Sequence, residues 1–232
     1  MPRTALPHRR TARIDVEPLK RADHADYLRL IALSTGTGQL PPEAQHVLSM
    51  DPEEPLFTHG PALCLAARLR RSSNPRPVGA LFAAFPDWTI QHPLVQDNPP
   101  LSQMLAHAAL LVYGVAVTPT RRRQGIARAL LIETEKLAHA AGYRMTTLIH
   151  EPELAPFYER LGYTTDRQVT IAMPDAGMGL TQPWPFMTAV KPLHPDTEVR
   201  VLPGAPGPVV TGLLPGWDLP RDAHVVDGRI VT

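Results

Sequence analysis

The sequence predicts an α+β fold of the α/β type, a mixed sheet flanked by helices, and three observations carry that prediction. Residues 62–69 (ALCLAARL) and 77–85 (PVGALFAAF) are apolar runs separated by the polar link RRSSNPR, the punctuation of an antiparallel hairpin. Residues 110–150 read as strand, turn, amphipathic helix and strand. A short helix and two more strand-like runs, 163–173 and 184–193, follow.

The elements before the hairpin are modest. Residues 1–11 form a loose N-terminal arm, and residues 12–19 alternate as a first strand, with Ile14 and Val16 facing one way and Pro18 ending it. Tyr27, Leu30, Ile31 and Ser34 recur at helical spacing after Asp23, which predicts a helix over 22–34 closed by Gly36 and Gly38. Pro41 and Pro42 open a second short helix through Met50, since proline is tolerated in a first turn. Residues 51–61 read as loop.

After the hairpin, residues 87–102 are rich in proline and polar side chains and read as a long loop able to carry substrate contacts. Residues 103–117 turn almost wholly apolar, which predicts a short turn into a buried central strand. Thr118-Pro119 ends that strand near Val117, because proline cannot continue a ladder. A helix over 125–141 follows, with Ala127, Leu130, Leu131, Thr134, Leu137, Ala138 and Ala141 on one face. Arg128, Glu133, Glu135, Lys136 and His139 fall mostly outside it, and Gly142 stops the helix.

Residues 144–150 make a strand. Residues 153–161 make a short helix that must start late or bend at Pro156. The final strands, 163–173 and 184–193, are joined by the glycine-bearing segment 174–183. Residues 12–193 are therefore expected to form one domain. Residues 194–232 form an extended C-terminal tail with too many prolines and glycines for a regular core element, apart from an Asp-Gly hairpin signal in HVVDGRIV. That extension can wrap the domain or join a second copy of the chain, so a homodimer is one expectation.

Composition excludes several classes. Apolar residues at 44% and charged residues at 19% describe an ordinary globular chain, not a disordered one. A net charge of +1 gives the whole molecule no electrostatic reason to bind nucleic acid or an anionic membrane. No apolar run approaches the roughly 18 residues of a membrane span, and the N-terminus lacks the apolar core of a secretion signal. Cys64, the single cysteine, rules out an intrachain disulfide and reads as a small apolar strand residue in a cytoplasmic protein. No His/Cys/Asp cluster has metal-ligand spacing, so no metal site is expected.

One turn breaks a local rule. Arg121, Arg122 and Arg123 stand at the mouth of the 125–141 helix, where the backbone dipole disfavours cations and no Asp, Glu or Ser caps the free amides. An anion such as a phosphate is the simplest compensator. Gly125 and Ala127 in RRQGIA let the backbone approach it closely, and the arginines can neutralise further phosphate charge.

This strand, Arg-x-x-Gly-x-Ala turn and helix resemble the acetyl-CoA loop of the GNAT acetyltransferase superfamily. Phe157-Tyr158-Glu159-Arg160-Leu161-Gly162-Tyr163 is similar to that family's Phe-Tyr-x-x-x-Gly-Phe motif, in the right order downstream. The resemblance covers about half the chain at motif level. It implies a mostly antiparallel central sheet and acetyl-CoA as co-substrate. It further implies Val115 and Val117 as backbone contacts to the acetyl and pantetheine arm, and Arg122, Arg123, Gln124, Gly125, Ile126, Ala127 and Arg128 as the pyrophosphate cradle. Tyr158 is then the acid that protonates the departing thiolate, a role suited to a phenol that keeps its proton at neutral pH.

The stretch LIHEPELAPFYERLGY also resembles the region around the catalytic tyrosine of arylalkylamine N-acetyltransferases. Two strand histidines of that branch correspond to Leu111 and Tyr113 here, and Glu151 stands where many relatives have asparagine. A small-molecule primary amine acceptor must lose a proton before it attacks, and the candidate bases are His150, Glu151 and Tyr113. The resemblance implies direct transfer in a ternary complex; an inactive acyl-CoA-binding regulatory module is the alternative.

Overall fold

The computed structural model describes residues 14–34, 62–70, 76–173, 178–181 and 186–232. The expected N-terminal arm, the second short helix over 41–50 and the loop over 51–61 lie outside the described residues.

Strand β1 (Ile14–Pro18) leads through a 3₁₀ turn into α1 (His24–Ala32). The predicted hairpin is present as β2 (Ala62–Leu69) and β3 (Gly79–Ala84), antiparallel from Ala62↔Ala84 to Ala67↔Gly79. Helices α2 (Asp87–Ile90) and α3 (Pro99–Ala108) precede the long central strand β4 (Ala109–Val117). Then come α4 (Ile126–Ala140), β5 (Met145–His150) and α5 (Ala155–Glu159). The chain continues with β6 (Thr164–Asp166), β7 (Thr170–Met173), β8 (Met178–Thr181) and β9 (Met187–Pro192). Four short strands follow: β10 (Glu198–Arg200), β11 (Val209–Thr211), β12 (His224–Val226) and β13 (Arg229–Val231).

The main sheet has seven strands in the order β1-β2-β3-β4-β5-β9-β6. All its neighbours are antiparallel except β4 and β5. The expected mixed, mostly antiparallel sheet is thus the observed one. Strand alternation divides β3 between two cores: Leu81 and Ala83 pack with Ile126, Leu130 and Leu131 of α4, while Ala80, Phe82 and Ala84 pack with Tyr27, Leu30 and Ile31 of α1. Gly79 lets α4 sit down on the sheet, since a Cβ there would lie 2.6 Å from Ile126 Cγ2. Cys64 is a β2 residue packed against the α1 core, as a small apolar residue would be. Among the described residues, no helix is long and apolar enough to cross a membrane.

Four expectations are corrected. The prolines of 87–102 do not make a continuous loop: Asn98 caps α3 by accepting from the Leu101 amide at 3.2 Å, and Pro99 opens its first turn. The helix then runs straight into β4 with no intervening turn. Residues 163–173 are not one strand, because the Asp166 carboxylate accepts from the Gln168 amide at 3.0 Å and turns the chain, so β6 joins the main sheet and β7 leaves it. The segment 174–183, expected only to connect, contains β8.

The proline- and glycine-rich end is also more regular than expected. β10 and β11 join β7 and β8 in a second sheet ordered β10-β11-β7-β8, with β7 and β11 parallel. Val210, Leu213, Leu214 and Trp217 pack with Ile171, Leu105 and Met145, so burial against the domain orders a segment interrupted by prolines and glycines. The Asp-Gly signal is a real hairpin: Asp227 and Gly228, at φ 49° and 75°, turn β12 into β13.

Candidate functional site

The site begins at a break in the sheet. β4 and β5 pair only from Ala109↔Met145 to Val112↔Leu148, after which β4 continues against β3 and β5 against β9. At the same level β3–β4 pairing skips a residue, with Phe82 opposite Gly114 and Ala83 opposite Val112. Tyr113 is therefore the extra residue of a β-bulge, a feature that bends a strand and ends pairing. Beyond it, the β5-facing edge of β4 has no strand partner among the described residues through Val117.

Two cavities fill the resulting gap. The first, about 350 Å³, lies between Tyr113–Val115 of β4 and Leu148–Glu151 at the end of β5. The second, about 450 Å³, is floored by Val115–Val117 and walled by the turn leading into α4. Ser34, Val115, Leu154 and Tyr158 line both, so the two form one bent cleft.

The turn before α4 has the unusual electrostatics that the arginines implied. Arg123 takes φ 61° and Gly125 φ 83°, two left-handed residues in a run of three. Such alternation turns successive amides toward one concave side, which is an anion-binding shape. Gly125 caps the helix without a side-chain hydrogen bond, and no acidic residue lies in the first turn. The amides of residues 124–128 have no protein acceptor among the described residues. The side chains of Arg122, Arg123 and Arg128 line the second cavity and make no ion pair there among the described residues.

Tyr158 is 4% exposed, and its hydroxyl makes no hydrogen bond among the described residues. Burial pushes its phenol up to about 12. The position follows from local sequence: Pro152–Leu154 form a 3₁₀ turn, Pro156 sits in the first turn of α5, and one helical turn carries Tyr158 inward. Its ring contacts His150, with centroids 4.8 Å apart, and meets Phe157 and Tyr163 edge-on.

His150 is 6% exposed at the end of β5. Its Nδ1 lies 2.7 Å from the Glu151 carbonyl oxygen. A carbonyl only accepts, so in the neutral ring Nδ1 carries the proton and Nε2 the lone pair. Nε2 is buried with no hydrogen-bond partner among the described residues. Tyr113 also borders the first cavity, but its hydroxyl is held outside: it lies 3.0 Å from both the Phe85 carbonyl and the Asp87 carboxylate and accepts from the Asp87 amide at 3.4 Å. Glu151 is exposed on the cavity rim.

The structure thus gathers Tyr158, His150, Glu151, Tyr113, Val115, Val117, Arg122, Arg123, Gly125, Ile126, Ala127 and Arg128 around one cleft. Gln124 does not line it. Sequence reasoning missed Ser34, Leu154, Ile149 and Phe186. Ser34 arrives from the end of α1, packed against Gly114 so closely that no Cβ fits there. Ile149, Leu154 and Phe186 are exposed apolar side chains at 42–47%, which together make an apolar mouth.

Comparison with known proteins agrees with this geometry. Residues 96–165 match the family model described as an acetyltransferase (GNAT) domain. No curated protein sequence matches the chain. Among solved structures, a GNAT phosphinothricin acetyltransferase from Sinorhizobium meliloti, in complex with AcCoA, is similar at 17% identity and a TM-score of 0.50, covering 77% of this chain and 88% of its own. A chain of the NatC complex bound to Gag peptide and CoA is similar at 18% identity and a TM-score of 0.50, covering 78% of this chain and 99% of its own. The splayed β4–β5 pair and the uncapped α4 turn both lie within the segment, residues 96–165, that matches the acetyltransferase (GNAT) domain, and the chain shares its fold with these structures.

Proposed function

We propose that the protein transfers acetyl from acetyl-CoA to a primary amine by direct attack in a ternary complex. One observation carries this reading: the uncapped, doubly left-handed turn at α4 opens on the same cleft as the unpartnered hydroxyl of Tyr158. The amides of residues 124–128 hold the pyrophosphate, with Arg122, Arg123 and Arg128 adding charge. The unpaired edge of β4 at Val115 and Val117 takes the pantetheine arm by main-chain hydrogen bonds. The thioester then lies in the gap between β4 and β5.

The amine enters the first cavity, where Ile149, Leu154 and Phe186 cover an apolar body. His150 Nε2 accepts the proton that the ammonium loses, and Glu151 favours the cation at the rim. The amine nitrogen attacks the carbonyl carbon, the carbon–sulfur bond breaks, Tyr158 gives its proton to the leaving thiolate, and the second proton shed by the acylated nitrogen returns the tyrosinate to phenol. Its high pKa keeps that proton available. The Sinorhizobium meliloti relative, seen with AcCoA, supports the donor.

A screen of amine classes with acetyl-CoA, read by release of free thiol, tests the reading alongside calorimetric CoA binding. Acceptor-dependent thiol release supports it. CoA binding without transfer to any amine class would point to a binding module, and absence of CoA binding would remove the donor assignment.

A further inference from the structure

Glu135 stands on α4 where the helical period puts solvent-facing residues, yet its side chain is only 13% exposed. Its Oε2 lies 2.6 Å from Nζ of Lys191 on β9. The same ammonium donates to the Leu161 carbonyl at 2.7 Å and sits 5.5 Å from the centroid of the Tyr163 ring. A single cation therefore engages a carboxylate, a carbonyl and an aromatic face.

The Leu161 carbonyl belongs to the turn that ends α5. The amides of Leu161 and Tyr163 both donate to the Tyr158 carbonyl, at 2.9 and 3.2 Å, and Gly162 closes the turn at φ 86°. Tyr163 is 4% exposed, meets Tyr158 edge-on at 5.9 Å, and accepts from the Thr146 hydroxyl at 3.3 Å. A five-residue helix cannot fix its own orientation, because one turn of hydrogen bonds is marginal alone. What its end is tied to decides where Tyr158 points. Lys191 ties that end to α4, about 14 Å along the helix from the amide cradle.

We propose that Lys191, together with Glu135, is a positioning residue that sets the Tyr158 hydroxyl against the donor cavity. The assignment rests on the acetyl-transfer reading of the site. Neither side chain touches the cleft; both act through the α5 turn and the Tyr163 ring. Loss of either partner alone strands a partly buried charge, so the paired change Glu135→Gln/Lys191→Met separates stability from positioning.

The test uses the full chain labelled with 3-fluorotyrosine, whose five tyrosines are assigned by single Tyr→Phe changes. Lys191→Met is expected to displace the ¹⁹F lines of Tyr158 and Tyr163 and leave that of Tyr27 in place. With an accepted amine, kcat is expected to fall roughly tenfold to hundredfold while CoA binding stays within about twofold. Lys191→Arg recovers most of the rate, and the paired change recovers thermal stability but not kcat. An unmoved Tyr158 line, an unchanged kcat, or a rate that returns with stability in the paired variant overturns the proposal. Should Lys191→Met not fold, Glu135→Gln takes its place, and an unmoved Tyr158 line there is equally fatal. If the Tyr158 line moves but the wild type acetylates no amine, the clamp stands and the acetyl-transfer reading falls.

Discussion

His150 and Tyr158 lie ring against ring, their centroids 4.8 Å apart and their planes inclined by 41°, although one ends a strand and the other lies in a separate short helix. The pair puts an imidazole nitrogen and a phenol hydroxyl, neither with a hydrogen-bond partner among the described residues, beside one cleft.

Tyr158→Phe keeps the ring contacts and removes only the hydroxyl, the proposed acid. Steady-state kcat should drop about 10²–10⁴-fold, with CoA affinity held within about twofold in titration calorimetry. In the wild type, burial lifts the phenol to about 12, so it stays protonated through mildly alkaline solution. The kcat profile should show no alkaline fall from this group below about pH 10. Full turnover in the phenylalanine variant would take the hydroxyl out of the reaction.

His150→Gln retains a hydrogen-bonding side chain at the end of β5 but cannot accept a proton. The variant should lose the acid limb of kcat/KM that deprotonation of a base produces, while a stopped-flow CoA binding rate stays the same. An unaltered pH–rate profile would exclude His150 and leave Glu151 to be tested by Glu151→Gln.

Gly114→Ala places a methyl group on the Ser34 hydroxyl, which itself donates to the Ile31 carbonyl at 2.6 Å. Thermal unfolding should show a loss of about 1–3 kcal/mol, typical of overpacking. KM for the amine should rise because the end of α1 lines the cleft. Adding Ser34→Ala should recover part of the loss, since the residual contact would be with a Cβ 3.2 Å away. Gly114→Ala with wild-type stability would mean that α1 is free to shift.

Glu17 ties β1 to its surroundings. Hydrogen bonds from Lys20 first, and from Arg68 second, hold its carboxyl below the usual carboxylate range. A folded pKa below the unfolded one stabilises the protein above the unfolded pKa, and that contribution disappears as pH falls through the folded value. Urea midpoints of wild type and Glu17→Gln should therefore differ at neutral pH and converge in acid. A gap that widens in acid would contradict this sign.

The site was legible where physical rules act locally. Three arginines at a helix mouth without a cap, followed by Gly125 and Ala127, announce an anion whatever the fold. Tyr158 came from its motif, and the hairpin of β2 and β3 from alternation. What stayed hidden depends on distant chain. Glu135 reads as solvated because helical periodicity knows nothing of Lys191, fifty-six positions later. Ser34 reaches the cleft only because β4 offers it a glycine. The short Val-rich runs among the prolines and glycines after residue 194 include a sheet strand because β7 leaves the main sheet and gives β11 a partner, which no local pattern records.

The shape of the α4 turn is written in main-chain atoms. Apart from Gly125, whose φ of 83° few other residues adopt, and Arg123, which tolerates 61° at a cost of about 1–2 kcal/mol, its curvature makes little demand on side-chain type. A lineage can therefore exchange most of the letters around such a turn and keep its contour. The fold is shared with structures at only 17–18% identity. The pocket walls at Tyr113, Ile149, Leu154 and Phe186 are made of side chains, so substitutions there reshape the first cavity while the main-chain turn keeps its contour.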